Sequence, residues 1–162
     1  MTSYLANQKE ARDRHYQCSI VLHAPLGEVF HFFSDARNLE KITPPWLNFR
    51  ILGQSTPNIA EGTEFNYRLK VHGFPIHWRS RILQWRPNER FVDTQVSGPY
   101  QKWHHLHLFW AEGNKTRMQD EVLYRLPLGC LGDRLAGWWV DRDVKRIFEY
   151  RAKTISSIFG SS

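Results

Sequence analysis

Three of the eight histidines fall within four positions, at 104, 105 and 107 in the stretch GPYQKWHHLHLF (98–109). Imidazole can ligate a metal, move a proton near neutral pH or donate a hydrogen bond, so the first question is which rings share a face. In a strand successive side chains alternate, which puts His105 and His107 on one face and His104 on the other. A two-residue turn centred on Gly113-Asn114 would set Glu112 opposite Lys115. Counting outward, Phe109 meets Met118, His107 meets Asp120, His105 meets Val122 and Trp103 meets Tyr124, all on one face.

A histidine oriented by a carboxylate can serve as a general base toward an enolisable substrate. On that reading His107, Asp120 and Tyr124 are the candidate catalytic residues, with Tyr67 a second proton donor. The same residues serve equally to hold the polar head of a bound molecule. His105, His107 and Asp120 also have the composition of a two-histidine, one-carboxylate metal face. Residues i and i+2 of a strand lie about 6.5 Å apart at the backbone, however, and a His107–Asp120 hydrogen bond with His105 packed beside it accounts for the residues without an ion. No metal is assigned and no cofactor is expected. There is no G-x-S-x-G motif, and neither Cys18 nor Cys130 has a recognisable catalytic partner.

The preceding hairpin supplies the rest of the face. With Pro87-Asn88 as the turn centre, Gln84 faces Phe91, Ile82 faces Asp93, Ser80 faces Gln95 and Trp78 faces Ser97. The interior would then hold Trp78, Ser80, Asp93, Gln95, His105, His107 and Asp120 among apolar walls. Such a polar cluster is costly unless hydrogen-bonded, hydrated or used by a ligand. Arg151 lies within the helical stripe of Val144, Ile147 and Ile155, where it either makes an internal ion pair, reaches solvent or anchors a ligand. The expected ligand-binding set is therefore Trp78, Gln95, Trp103, His105, His107, Asp120, Tyr124 and Arg151. The opposite face would carry Leu83, Trp85, Val92, Val96, Leu106, Leu108, Trp110 and Leu123, a patch that suggests a homodimer or partner interface.

The elements that must position these residues follow from periodicity. Residues 16–22 alternate as a strand, and APLGEVFHFFSD begins a short helix at Pro25. A second helix over 36–42 is stopped by Pro44-Pro45. Strands are then expected over 49–52, 64–71, 76–85, 90–96, 103–111 and 116–126, with turn signals such as RPNE and EGNK. The chain ends in a long helix from about 128 to 159. In it Leu131, Leu135 and Trp138 point nearly opposite to Val140, Val144, Ile147, Ile155 and Ile158, which predicts a kink or break near Gly137. Trp138-Trp139 would gate a pocket or join the core, and the loop 53–62 would be a lid or a plain connection. The fold class is α+β: a curved antiparallel meander of about seven strands gripping one long helix.

At 162 residues the chain reads as one domain, 1–162, with 1–14 a peripheral or poorly ordered lead. Aromatic residues are 14% of the chain, seven of them tryptophan, which suits a large core or a lined pocket. The net charge of +6 is scattered without a basic stripe or motif, so nucleic acid is not expected as a partner. No stretch has the length of a membrane span and the N-terminus has no apolar signal region, making a cytoplasmic protein the expectation. Two cysteines form no framework, and a single Cys18–Cys130 bridge stays open.

Over 17–159 the residues resemble the START-like (SRPBCC, helix-grip) superfamily. VFHFFSDARNLEKITPPW (29–46) is similar to its two-helix entry. RFVDTQVSGPYQKWHHLHLF (90–109), TRMQDEVLYRLPLG (116–129) and IFEYR (147–151) resemble a bacterial ligand-binding branch related to polyketide cyclase/dehydrase proteins. The resemblance implies a cavity between sheet and C-terminal helix that binds or carries a hydrophobic, aromatic or lipid-like small molecule. Two alternatives stand beside it: a cyclase- or dehydratase-like enzyme using the His-Asp pair in the same cavity, and a protein-interaction module acting through the convex sheet face.

Overall fold

The structure is a computed structural model that describes Leu5 and residues 8–160. Its elements run β1 (Arg14–Leu22), α1 (Leu26–Phe33), α2 (Ala36–Ile42), a single 3-10 turn (Pro45–Leu47), β2 (Arg50–Gln54), β3 (Glu64–Val71), β4 (Phe74–Arg86), β5 (Arg90–Ser97), β6 (Lys102–Glu112), β7 (Lys115–Arg125) and α3 (Gly129–Phe159). The strands form one antiparallel sheet in the order β1-β7-β6-β5-β4-β3-β2. Short helices after β1 and a long C-terminal helix complete the expected helix-grip arrangement. Asp35 starts α2 by accepting a hydrogen bond from the Arg37 amide at 2.9 Å.

The β6–β7 hairpin has the expected register throughout, from Glu112 opposite Lys115 to Trp103 opposite Tyr124. Gly113, at φ 64°, takes the positive-φ first position of a two-residue turn. The β4–β5 hairpin departs from expectation. Arg86 pairs with Arg90, so the loop has three residues, with Asn88 left-handed at φ 58°. Trp85 therefore sits opposite Phe91 and Gln84 opposite Val92. A bulge between Ile82 and Gln84 absorbs the extra residue, restoring the expected Ile82–Asp93 and Ser80–Gln95 pairs. A second irregularity sets Arg79, not Trp78, opposite Ser97. The bulge also turns Trp85 onto the concave face, where its ring lies 5.2 Å from Phe30 and 5.3 Å from Phe91.

The concave core joins Leu22, Val29, Phe30, Phe65, Phe91, Phe109 and Met118 to Ile155 of α3. A second cluster packs Val122 and Tyr124 against Val144 and Phe148. The outer face is not left open for a partner at its centre. Leu5, fully buried, covers Val92, Leu106 and Leu123, while Val96 and Trp110 at the margins are exposed. Asp13 ties the same N-terminal segment to the sheet, accepting from Lys102 Nζ at 2.6 Å and Arg125 Nη2 at 2.6 Å. Of that leading segment, 1–4, 6 and 7 lie outside the described residues.

The expected break at Gly137 is absent, because α3 runs unbroken through it. The conflict between two apolar faces is resolved by exposure instead. Leu131, Leu135, Trp138 and Trp139 are exposed, whereas Val144, Phe148 and Ile155 are buried. Gly137 instead admits a close neighbour: a Cβ there would lie 2.2 Å from Arg14 Nη2. That arginine joins β1 to α3 through Asp133 at 3.2 Å and Asp141 at 2.5 Å. Cys18 and Cys130 are separate thiols. Among the described residues no helix is long and apolar enough to cross a membrane.

Candidate functional site

Between the concave sheet, α2 and α3 lies a cavity of about 510 Å³. Its walls are apolar, with Phe33, Leu39, Tyr67, Trp78, Tyr100, Trp103, Val140, Val144 and Phe148 among them. Trp78 and Trp103 meet edge to face at 5.2 Å, and Tyr100 packs against both. Ile59 brings the loop 53–62 to the wall, and Leu128 and Leu135 bring the start of α3. Asp93, His105, His107 and Arg151 supply a polar end to this cavity, and Asp35, Asn38 and Thr43 line it beside α2.

Strand register explains how that end is built. Asp93 of β5 lies opposite His105 of β6, and His107 lies opposite Asp120 of β7. The two rings lie 3.7 Å apart, tilted by 40°, between the two carboxylates. His105 Nε2 donates to Asp120 Oδ1 at 3.0 Å, and His107 Nε2 donates to Asp93 Oδ2 at 3.2 Å. His107 Nδ1 also lies 2.7 Å from Asp120 Oδ1, at an angle short of a hydrogen bond. Phe91 covers the outer side of the His107 ring at 4.0 Å. The expected His107–Asp120 pair is thus half of a square of two histidines and two aspartates.

The charges within the square follow from this geometry. Burial alone would lower the pKa of His107, but the charge of Asp120, close to its ring, and the hydrogen bond and charge of Asp93 outweigh it and raise the value above normal. His105 moves the opposite way, lowered first by burial and then by the charge of His107. Burial would raise Asp120, yet the charge of His107 and the hydrogen bond from His105 hold it well below the usual carboxylate range. Asp93 is also lowered, as His107, His105 and Arg151 outweigh its burial. Both carboxylates are thus held ionised, and a proton in the cluster favours His107 over His105, with the Arg151 guanidinium nearby.

Asp93, His105 and His107 could each turn one atom toward a common cation, these atoms lying within 4.8 Å of one another. This set differs from the His105–His107–Asp120 face suggested by the sequence. A cation there would compete with the proton that His107 shares with the carboxylates, and both rings already have carboxylate partners without it. The donor set does not require a metal.

Of the expected ligand-binding residues, Trp78, Trp103, His105, His107 and Arg151 line the cavity. Asp120 stands behind the histidines, outside the lining among the described residues. Gln95 clamps the β5–β6 loop, donating to the Tyr100 carbonyl at 2.7 Å and accepting from its amide at 3.2 Å. Tyr124 donates to Asp141 Oδ1 at 2.7 Å, which joins β7 to α3. Tyr67 reaches the cavity and accepts from Ser80 at 3.2 Å; burial raises its pKa and keeps the phenol protonated. Asp93 and Tyr100 are additions to the expected set. Asp93 is legible from its pairing, since an inward Ile82–Asp93 pair already puts a carboxylate inside.

The fold recurs in solved structures of low sequence identity. A START superfamily protein from Mycobacterium smegmatis superposes with a TM-score of 0.67 at 15% identity, over 90% of this chain and 96% of that one. The Zhui aromatase/cyclase from Streptomyces sp. R1128 gives 0.69 at 17%, over 88% and 91%. A Thermus thermophilus protein, TTHA0849, gives 0.67 at 17%, over 89% and 95%. No curated protein matches the sequence. The family described as "Polyketide cyclase / dehydrase and lipid transport" matches residues 22–151, and the match spans the two entry helices, strands β2 to β7 and α3 as far as Arg151. The chain belongs to the polyketide cyclase/dehydrase and lipid transport family.

Proposed function

We propose that the protein binds a hydrophobic, aromatic or lipid-like small molecule in the cavity between sheet and α3. The observation that carries this reading is the cavity itself, about 510 Å³ with largely apolar walls and the Asp93, His105, His107 and Arg151 cluster among them. That volume falls in the range of about 300–1,000 Å³ used by ligands of drug size, and a few convergent polar groups suffice to orient one. The aromatic wall of Trp78, Tyr100 and Trp103 suits a flat or flexible apolar body.

Titration with Nile red tests the reading. Saturable binding of one dye per chain with a blue-shifted emission is expected, and Val140→Trp, which puts an indole into the cavity, abolishes it. Absence of saturable binding to the unmodified protein, or full binding by a folded Val140→Trp variant, overturns the reading.

One observation favours catalysis as a second reading. His105 lines the cavity as a neutral imidazole held by Asp120, the state a general base needs. An enzyme would lose turnover in His105→Ala while keeping dye binding. A carrier would show no turnover in either form.

A further inference from the structure

Among the described residues, Arg151 is the buried arginine. It is 7% exposed, and its Nε has no hydrogen-bond partner. Among the described residues the guanidinium makes no hydrogen bond or ion pair; its close contact is with the Phe148 ring, 5.6 Å from Cζ to centroid. A guanidinium withdrawn from water costs several kcal/mol unless its N–H groups find acceptors. The nearby carboxylates are occupied, Asp93 by His107 and Asp120 by His105. Arg151 lines the cavity, so the missing acceptor has to come from what the cavity contains.

The charge balance decides what kind of acceptor it is. Asp93 and Asp120 already supply two carboxylates here, taken by His107 and His105, and Asp93 is itself part of the wall. An added anion would leave this end of the cavity with net negative charge beside Asp93. A neutral oxygen acceptor satisfies the guanidinium without upsetting the balance. Tyr67, whose hydroxyl accepts from Ser80, keeps its own proton available to the same oxygen.

We infer that the ligand is a neutral, apolar-bodied molecule carrying a carbonyl oxygen, which takes its hydrogen bond from Arg151. This rests on the proposed ligand-binding reading and narrows it to a chemical class. Neutral ketones, esters and amides belong to that class, whereas free carboxylic acids, ionised at neutral pH, and bare hydrocarbons do not.

The test uses three molecules of one skeleton: naphthalene, 2-acetylnaphthalene and 2-naphthoate, each competing with Nile red at pH 7. A charge-assisted hydrogen bond corresponds to about tenfold or more in affinity, so the ketone is expected to bind that much more tightly than the hydrocarbon. The carboxylate is expected to bind more weakly than the ketone. Arg151→Met removes the ketone's advantage and leaves naphthalene unchanged. Should Arg151→Met fail to fold, the ¹⁵Nε and Hε resonances of Arg151 in the unmodified protein give the answer. They shift on addition of the ketone and not on addition of naphthalene.

Equal affinity for ketone and hydrocarbon overturns the inference while leaving the ligand-binding reading intact. Tightest binding by 2-naphthoate also overturns it, pointing to an anion site instead. Persistence of the ketone preference in folded Arg151→Met assigns the contact elsewhere and overturns it too. Failure of Nile red and all three molecules to bind overturns both readings together.

Discussion

His107 is held from two sides, by Asp93 at 3.2 Å and by Asp120 at 2.7 Å, and its charge is part of the fold's stability. Its folded pKa lies above the ordinary 6.5, so its stabilisation is fully present below about pH 6.5 and is lost as the pH rises through the folded value. Asp120 and Asp93 lie below the ordinary 3.8; their contribution is present above that value and is lost as the pH falls through their folded values. His105, lowered, opposes folding increasingly as the pH drops below 6.5, because the unfolded chain takes up that proton more readily. Asp120→Asn removes a partner from both rings and is expected to cost about 3–5 kcal/mol in urea unfolding at pH 6. The deficit shrinks as the pH rises past the His107 value. In NMR titrations His107 is expected to titrate at lower pH in Asp120→Asn than in the unmodified protein. Strand alternation and a turn centred on Gly113-Asn114 are sufficient to separate His104 from this cluster and to set Asp120 opposite His107. Asp93's contact with the cluster depends on the β5–β6 register across residues 98–101, which no two-residue turn signal determines.

The strands and helices are positioned by a few close approaches that differ in how far they can yield. At Gly132 in the first turns of α3, a Cβ would lie 2.0 Å from the Pro127 carbonyl oxygen, which is backbone. At Gly137 the neighbour is the end of the Arg14 side chain, which can swing aside. Gly132→Ala is therefore expected to lose about 1–3 kcal/mol by thermal or denaturant unfolding. Gly137→Ala should lose less, since improved helix propensity of about 1 kcal/mol offsets part of the strain on Arg14. Equal losses would contradict this ranking. The sequence reveals the existence of α3 and the opposed directions of its apolar residues, but not the way that conflict is settled. A break and an exposed face satisfy the same periodicity; the choice depends on Arg14, which reaches α3 from β1, 119 positions from its partner Asp133. The β4–β5 hairpin is obscured for a similar reason. A third loop residue and a compensating bulge cancel at Ile82–Asp93 and reorient only Trp85 and Gln84.

Over the whole molecule the sheet is covered on both faces, by α3 and the core on one side and by the N-terminal segment on the other. Leu5, fully buried on Val92, Leu106 and Leu123, is the contact that closes the outer face. Leu5→Ala is expected to cost about 2–5 kcal/mol of unfolding free energy and to expose an apolar patch that binds a surface-sensitive dye. A variant as stable as the unmodified protein would mean that this segment contributes little. The overall α+β architecture is legible because the residue pattern changes period three times, from strand to helix, back to strand and finally to helix. The cover of the outer face is not, since a lone leucine in a polar lead has no periodicity to mark it. The strand order carries one further consequence, for the timing of synthesis. β1 is an edge strand whose sheet partner is β7, with Arg14 opposite Tyr124. A ribosome adding about 5–20 residues per second releases the first strand several seconds before its partner exists. During that interval β2 to β6 can assemble hairpin by hairpin, while the N-terminal strand and the residue that seals the outer face wait for the far end of the chain.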